Sequence, residues 1–74
     1  MKVCINREEL EKRVKASKYG SKEGLYRAIE KEYGYDPETI KRQLYRESFT
    51  LMQLCIIAKA LDCKIEELII FSET

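Results

Sequence analysis

Apolar residues recur at helical spacing along this chain, and a side chain able to cap a helix precedes most of the runs. The spacing predicts a first helix over residues 7–17, with Leu10 and Val14 forming a narrow apolar stripe. Asn6 stands at its N-cap with Glu9 three residues later as a capping box, and Ile5 and Leu10 occupy the positions of a hydrophobic staple. Residues 18–20 break the pattern. Ser21 then caps a second helix whose Leu25, Ala28, Ile29 and Tyr33 share one face and which ends near Tyr33. A third helix spans residues 37–46 with Ile40 and Leu44 inward. That leaves Glu38, Thr39, Lys41, Arg42, Tyr45 and Arg46 on an outward surface that is polar and net basic. Phe49, Thr50, Gln53 and Leu54 repeat the staple and capping box ahead of a fourth helix over residues 51–61, apolar nearly all round and therefore read as the central core helix. A short fifth helix is expected over residues 65–69, where Glu66 and Glu67 suit the positive end of the helix dipole and Leu68 points inward.

The connection between the second and third helices is the most informative local feature. Gly34 can adopt the left-handed conformation that closes a helix, and Asp36 can accept backbone N–H groups as the next N-cap. Pro37 at the first helical position loses no hydrogen bond, and Tyr35 with Ile40 forms another staple. Four signals thus agree on one helix start. A turn of this kind also joins helices in many proteins, so the segment by itself is equally an ordinary corner between two helices.

Length and composition narrow the function classes. A chain of 74 residues forms one domain, residues 1–74, and a domain of this size buries only about 60% of its unfolded surface, leaving little room for a deep catalytic pocket. The longest run without a charge, residues 48–58, is 11 residues and too short to cross a bilayer. The N-terminal stretch lacks the apolar segment and small-residue cleavage site of a signal peptide, which points to the cytoplasm and reduced thiols. Cys4, Cys55 and Cys63 show no paired spacing and there is no histidine, so neither a disulfide nor a metal site is expected; Cys55 and Cys63 read as small core residues. Net charge is only +1, but residues 1–48 carry 12 Lys or Arg against 9 Asp or Glu, and residues 49–74 carry 2 against 4. The basic excess lies with the third helix.

The helix order, the phrase Asp36-Pro37-Glu38-Thr39-Ile40 after Gly34-Tyr35, then Ile57-Ala58-Lys59-Ala60-Leu61-Asp62-Cys63 and Glu66-Glu67-Leu68, resembles the Cro/CI (Xre-type) family of helix-turn-helix regulators over about residues 6–70. The resemblance implies an all-α, compact five-helix lambda-repressor-like domain with its helix-turn-helix at about residues 21–46. Two features depart from the family pattern. Ala28 precedes Gly34 by six residues, implying a longer second helix or a different residue at the close-packed corner, and glycine is missing after the third helix, where the chain reads Arg46-Glu47-Ser48-Phe49.

The resemblance implies a sequence-specific, double-stranded-DNA-binding regulator, a repressor by expectation, with the third helix in the major groove and no cofactor. Arg42 would contact guanine, Thr39 a thymine methyl or a phosphate, and Glu38 cytosine N4, while Ser21, Lys22, Lys41, Tyr45 and Arg46 would hold phosphate. Members commonly pair, so a homodimer is expected, with the apolar tail over residues 69–74, through Ile69, Ile70 and Phe71, as candidate seam. The tail could equally pack on the first helix or pair as a strand with residues 2–5, where Val3 and Ile5 alternate. A second function class is a protein-interaction module on the same scaffold, such as an antitoxin or a phage-encoded inhibitor, suggested by near-neutral charge and by Glu38 and Glu47. An enzyme is the weakest class, because the sequence offers no nucleophile with a base and no phosphate loop.

Overall fold

The computed structural model describes residues 2–72. Four helices follow a short first strand: β1 (Lys2–Ile5), α1 (Arg7–Ala16), α2 (Lys22–Tyr33), α3 (Pro37–Arg46) and α4 (Leu51–Ala60), then a single 3₁₀ turn (Ile65–Glu67) and β2 (Ile69–Ser72). The fold is mostly helical, and it corrects the expectation of five helices. Residues 65–69 do not form a fifth helix: one 3₁₀ turn ends at Glu67, Leu68 is fully buried, and the chain then extends to pair antiparallel with β1, Val3 opposite Phe71 and Ile5 opposite Ile69. A lone turn cannot offset the cost of helix nucleation, whereas pairing satisfies the backbone of two strands at once and buries Ile5. Ile69, Ile70 and Phe71 therefore take the strand alternative, with Ile69 half-buried and Ile70 and Phe71 exposed.

The helix starts follow their caps. Asn6, Ser21, Asp36 and Thr50 accept backbone N–H groups from Glu9, Gly24, Glu38 and Gln53 at 3.2, 3.2, 3.3 and 3.2 Å. Thr50 and Gln53 form a full capping box, with Gln53 Oε1 accepting the Thr50 N–H at 2.8 Å. At α1 the reciprocal half is absent for a specific reason. The Asn6 N–H donates to the Leu68 carbonyl at 2.8 Å, so Glu9 instead accepts from Arg13 at 2.8 Å, and Arg13 also pairs with Glu67 of the 3₁₀ turn.

The core runs between all these elements. Val14, Leu25, Ile29, Ile57 and Leu68 are completely buried, each removal from water contributing about 1.5–3 kcal/mol. Ile40, Leu44, Leu54 and Ile56 join them, as does Tyr26, whose burial pushes its phenol pKa up. Gln53 is the buried polar residue among those described; its amide reaches Gln43 on α3, so one side chain both caps α4 and ties it to its neighbour. α4 is not buried all round: Leu51 and Met52 are 70% and 61% exposed and Cys55 lies on the same open side, which corrects the reading of Cys55 as core.

Gly24 sits in the first turn of α2, where alanine would ordinarily favour the helix. A Cβ there would stand 2.7 Å from the Tyr19 carbonyl oxygen, a backbone atom with little freedom to move. Gly24→Ala is expected to lower stability by about 1–3 kcal/mol in denaturant unfolding; an unchanged or raised midpoint would contradict this close approach.

Candidate nucleic-acid interface

Helix α3 is fixed at both ends before it presents anything to solvent. At its start, Asp36 Oδ1 accepts the Glu38 N–H and Asp36 Oδ2 accepts the Thr39 hydroxyl at 3.3 Å. At its end the chain turns left-handed at Glu47, φ 57°, and the Ser48 N–H closes onto the Gln43 carbonyl at 2.9 Å. Glycine ordinarily occupies such a position, and the carboxylate of Glu47 gives a reason for its replacement. Glu47 Oε1 accepts the Ile5 N–H of β1 at 2.9 Å. The Arg7 guanidinium meanwhile donates to the Leu44 and Tyr45 carbonyls, both at 3.0 Å, supplying donors to helix-end acceptors that have no partner within α3. Arg7 also lies over the Tyr45 ring, 6.0 Å from its centre. The Ile5 N–H holds the Glu47 carboxyl below the usual carboxylate range, and the hydrogen bond to that carboxylate pushes the Cys4 thiol up.

Between these anchors α3 buries Ile40 and Leu44 and turns Arg42 directly outward, flanked by Glu38 and Tyr45 on one side and Arg46 on the other. Lys41, Arg42 and Arg46 are exposed and make no ion pair among the described residues; Tyr45 is 78% exposed. Thr39 is half-buried with its hydroxyl committed to Asp36, which leaves its methyl as the part open to a ligand. The expected contributors on α2 are committed elsewhere. The Ser21 hydroxyl caps the helix, and Lys22 Nζ pairs with Glu11 at 3.1 Å, lowering the Glu11 pKa.

A groove of about 610 Å³ runs between α2 and α3 over a floor of Leu10, Tyr26 and Leu44. Arg7, Lys22, Arg27 and Lys41 line it together with Glu23, Glu30, Asp36 and Glu38, four charges of each sign, and the outer ridge of α3 beside it carries Arg42 and Arg46. Glu30, four residues before Gly34, sits on this groove, and α2 extends over 12 residues. Sequence reading missed Arg7, Arg27 and Glu47. Only Glu47 had a local signal, a non-glycine residue where the helix must close.

Compared with family models, with curated proteins and with solved structures, the chain matches none. Among the described residues no helix is long and apolar enough to cross a membrane.

Asp62 supplies an internal control for Glu47. It too is left-handed, φ 54°, closing α4 through the Cys63 N–H to the Ala58 carbonyl at 3.0 Å, but its carboxylate accepts no hydrogen bond among the described residues. Asp62→Gly is expected to stabilise by roughly 0.5–1 kcal/mol through relief of backbone strain. Glu47→Gly gains the same relief but loses the Ile5 bond, about 1 kcal/mol, so it is expected to be neutral or destabilising. Equal gains from both substitutions in chemical denaturation would contradict the role given to Glu47. The lowered pKa of Glu47 also fixes a sign with pH. Its contribution is complete above the unfolded carboxylate value of about 4.3 and is lost as pH falls through the lower folded value. Glu47→Gln should flatten the acid limb of a stability–pH curve in that window and leave its shape near neutral pH unchanged.

Proposed function

We propose that this chain is a double-stranded-DNA-binding transcriptional regulator of the Cro/CI type that inserts α3 into the major groove. The observation that carries the reading is the ridge of Lys41, Arg42 and Arg46 on a helix anchored at both ends, with no ion-pair partner among the described residues taking up those charges. An arginine at the centre of an outward helical face has the reach and planar donor geometry to bind guanine O6 and N7 together. Arg46 and Lys41 hold phosphate on either side of it, and Tyr45, steadied by Arg7, adds a hydroxyl near the backbone. Glu38 accepts from cytosine N4 or rejects phosphate at its position, which makes it a selector. Ser21 and Lys22 play a smaller part than expected, because the lysine must leave Glu11 to reach a phosphate. Two copies acting together read a site of two-fold symmetry, and the regulator acts as a repressor by occupying it.

A second reading is a protein-interaction module, favoured by the open apolar side of α4, where Leu51, Met52 and Cys55 are exposed together. Leu51→Ser with Met52→Ser leaves DNA binding intact on the first reading and abolishes partner capture on the second.

Random-site selection with the pure protein is expected to enrich a defined, palindromic duplex. On that site Arg42→Ala should cost about 1–3 kcal/mol of affinity and relax preference at one base pair. Arg46→Ala should weaken all sequences alike and lower the slope of log affinity against log salt by about 1. Both variants should fold as the parent does. No enriched site, with only weak salt-sensitive binding that neither substitution alters, would sink the DNA reading and leave the protein-interaction one.

A further inference from the structure

The groove between α2 and α3 contains a polar group that the fold leaves unanswered. Tyr26, on its floor, is only 6% exposed, and its hydroxyl makes no hydrogen bond among the described residues. No side-chain oxygen closed off from solvent lacks a partner among those residues, so the hydroxyl is a part of Tyr26 that the groove keeps open. A buried tyrosine ordinarily finds a partner for this group. Arg7 lines the same groove, and its guanidinium acts against the effect of burial on the phenol. Both bonds from Arg7 to the carbonyls of α3 leave from Nη2; Nε and Nη1 donate to nothing among the described residues. A hydroxyl and the free edge of a guanidinium thus face one stretch of the groove, above Leu10 and Leu44, and both are donors.

The walls carry charges that do not close on one another. Arg27 and Lys41 make no ion pair among the described residues, nor do Glu23, Glu30 and Glu38. Arg7 bears on the Tyr26 phenol and none of these glutamates does, which sets the acceptors apart from the donor end. An anion alone answers only the donors. We infer that the groove is a binding site for a short zwitterionic peptide, whose carboxylate accepts from the Tyr26 hydroxyl and Arg7 and whose ammonium is taken by the unpaired glutamates of the walls. A free amino acid carries both charges on one carbon, whereas a dipeptide places them on residues about 3.8 Å apart at Cα, which suits ends that are separated. The volume, about 610 Å³, is that of an ordinary small-molecule site. Apolar side chains of the peptide lie over Leu10 and Leu44 and against the ring of Tyr45, 78% exposed at the rim. The site belongs to the chain alone and stands or falls separately from DNA binding.

Amide NMR of the pure chain, titrated with leucyl-leucine and without DNA, tests this. The dipeptide is expected to shift the amides of Tyr26, Arg27, Lys41 and Tyr45 to saturation at millimolar concentration. Its C-terminal amide lacks the anion and its N-acetyl form lacks the cation, and each should bind at least about tenfold more weakly. Tyr26→Phe keeps the ring in the core and removes only the hydroxyl. It should weaken leucyl-leucine by about tenfold and leave the denaturation midpoint at that of the parent. The absence of a saturable shift overturns the inference, as does equal binding of the three forms or unaltered binding by Tyr26→Phe. Inorganic phosphate that shifts the same amides as tightly as the dipeptide also overturns it, and reduces the groove to a seat for any oxyanion, that of a DNA backbone included. If Tyr26→Phe fails to fold, the capped forms decide on the parent: a loss with both upholds the inference, and an affinity equal to that of leucyl-leucine with either overturns it.

Discussion

Everything α3 presents depends on hydrogen bonds made across the length of the chain, between the junction of β1 and α1 and the end of that helix. Glu47 reaches back 42 residues to Ile5, and Arg7 reaches forward 37 and 38 residues to the carbonyls of Leu44 and Tyr45. These are charge-assisted bonds to backbone groups at the helix end and the strand edge. In a small domain the core alone does not fix the direction of a ten-residue helix, because Ile40 and Leu44 can slide or roll with modest loss. Bonds at the helix end remove that freedom. They also join the sheet to the ridge, so the strand that fills the domain's edge and the helix that faces outward move as one body.

The local parts of this fold were legible. Asn6, Ser21, Asp36 and Thr50 each mark a helix start, because a capping side chain acts within three residues of itself. Ile40 and Leu44 lie inward as periodicity requires. The misread features share a different property. Residues 65–69 have helical spacing but only enough length for one turn, and whether such a run coils or extends is decided by a strand more than sixty residues away. Cys55 lies in an apolar run, yet the run has more apolar residues than the small core has room for, and its surplus faces outward. Tyr26 is not on the apolar face that spacing predicts for α2, yet it is buried, beside the groove that Leu10 and Leu44 also line.

The candidate interface was legible in outline and not in detail. Spacing alone turned Arg42, Arg46 and Lys41 to one side. It could not reveal that Lys22 answers Glu11 or that Thr39 answers Asp36, since those commitments depend on rotamers and on an interhelical distance. Nor could it reveal that the inner groove carries four charges of each sign. The balance narrows the set of residues from which recognition can come, and it places Glu38 and Lys41 at the border between the two regions.

The antiparallel pairing of the terminal strands has a mechanical consequence. Lys2 lies opposite Ser72, so both ends of the described chain leave the sheet from the same side. Tension applied between them opens the ladder one pair at a time, beginning at Lys2 and Ser72 and ending at Ile5 and Ile69, in place of loading all its hydrogen bonds in shear. The zipper then stops at Ile5, whose amide is held from the other side by Glu47. The domain is therefore soft over roughly the first 20–25 Å of extension and stiffens where the strand meets the end of α3.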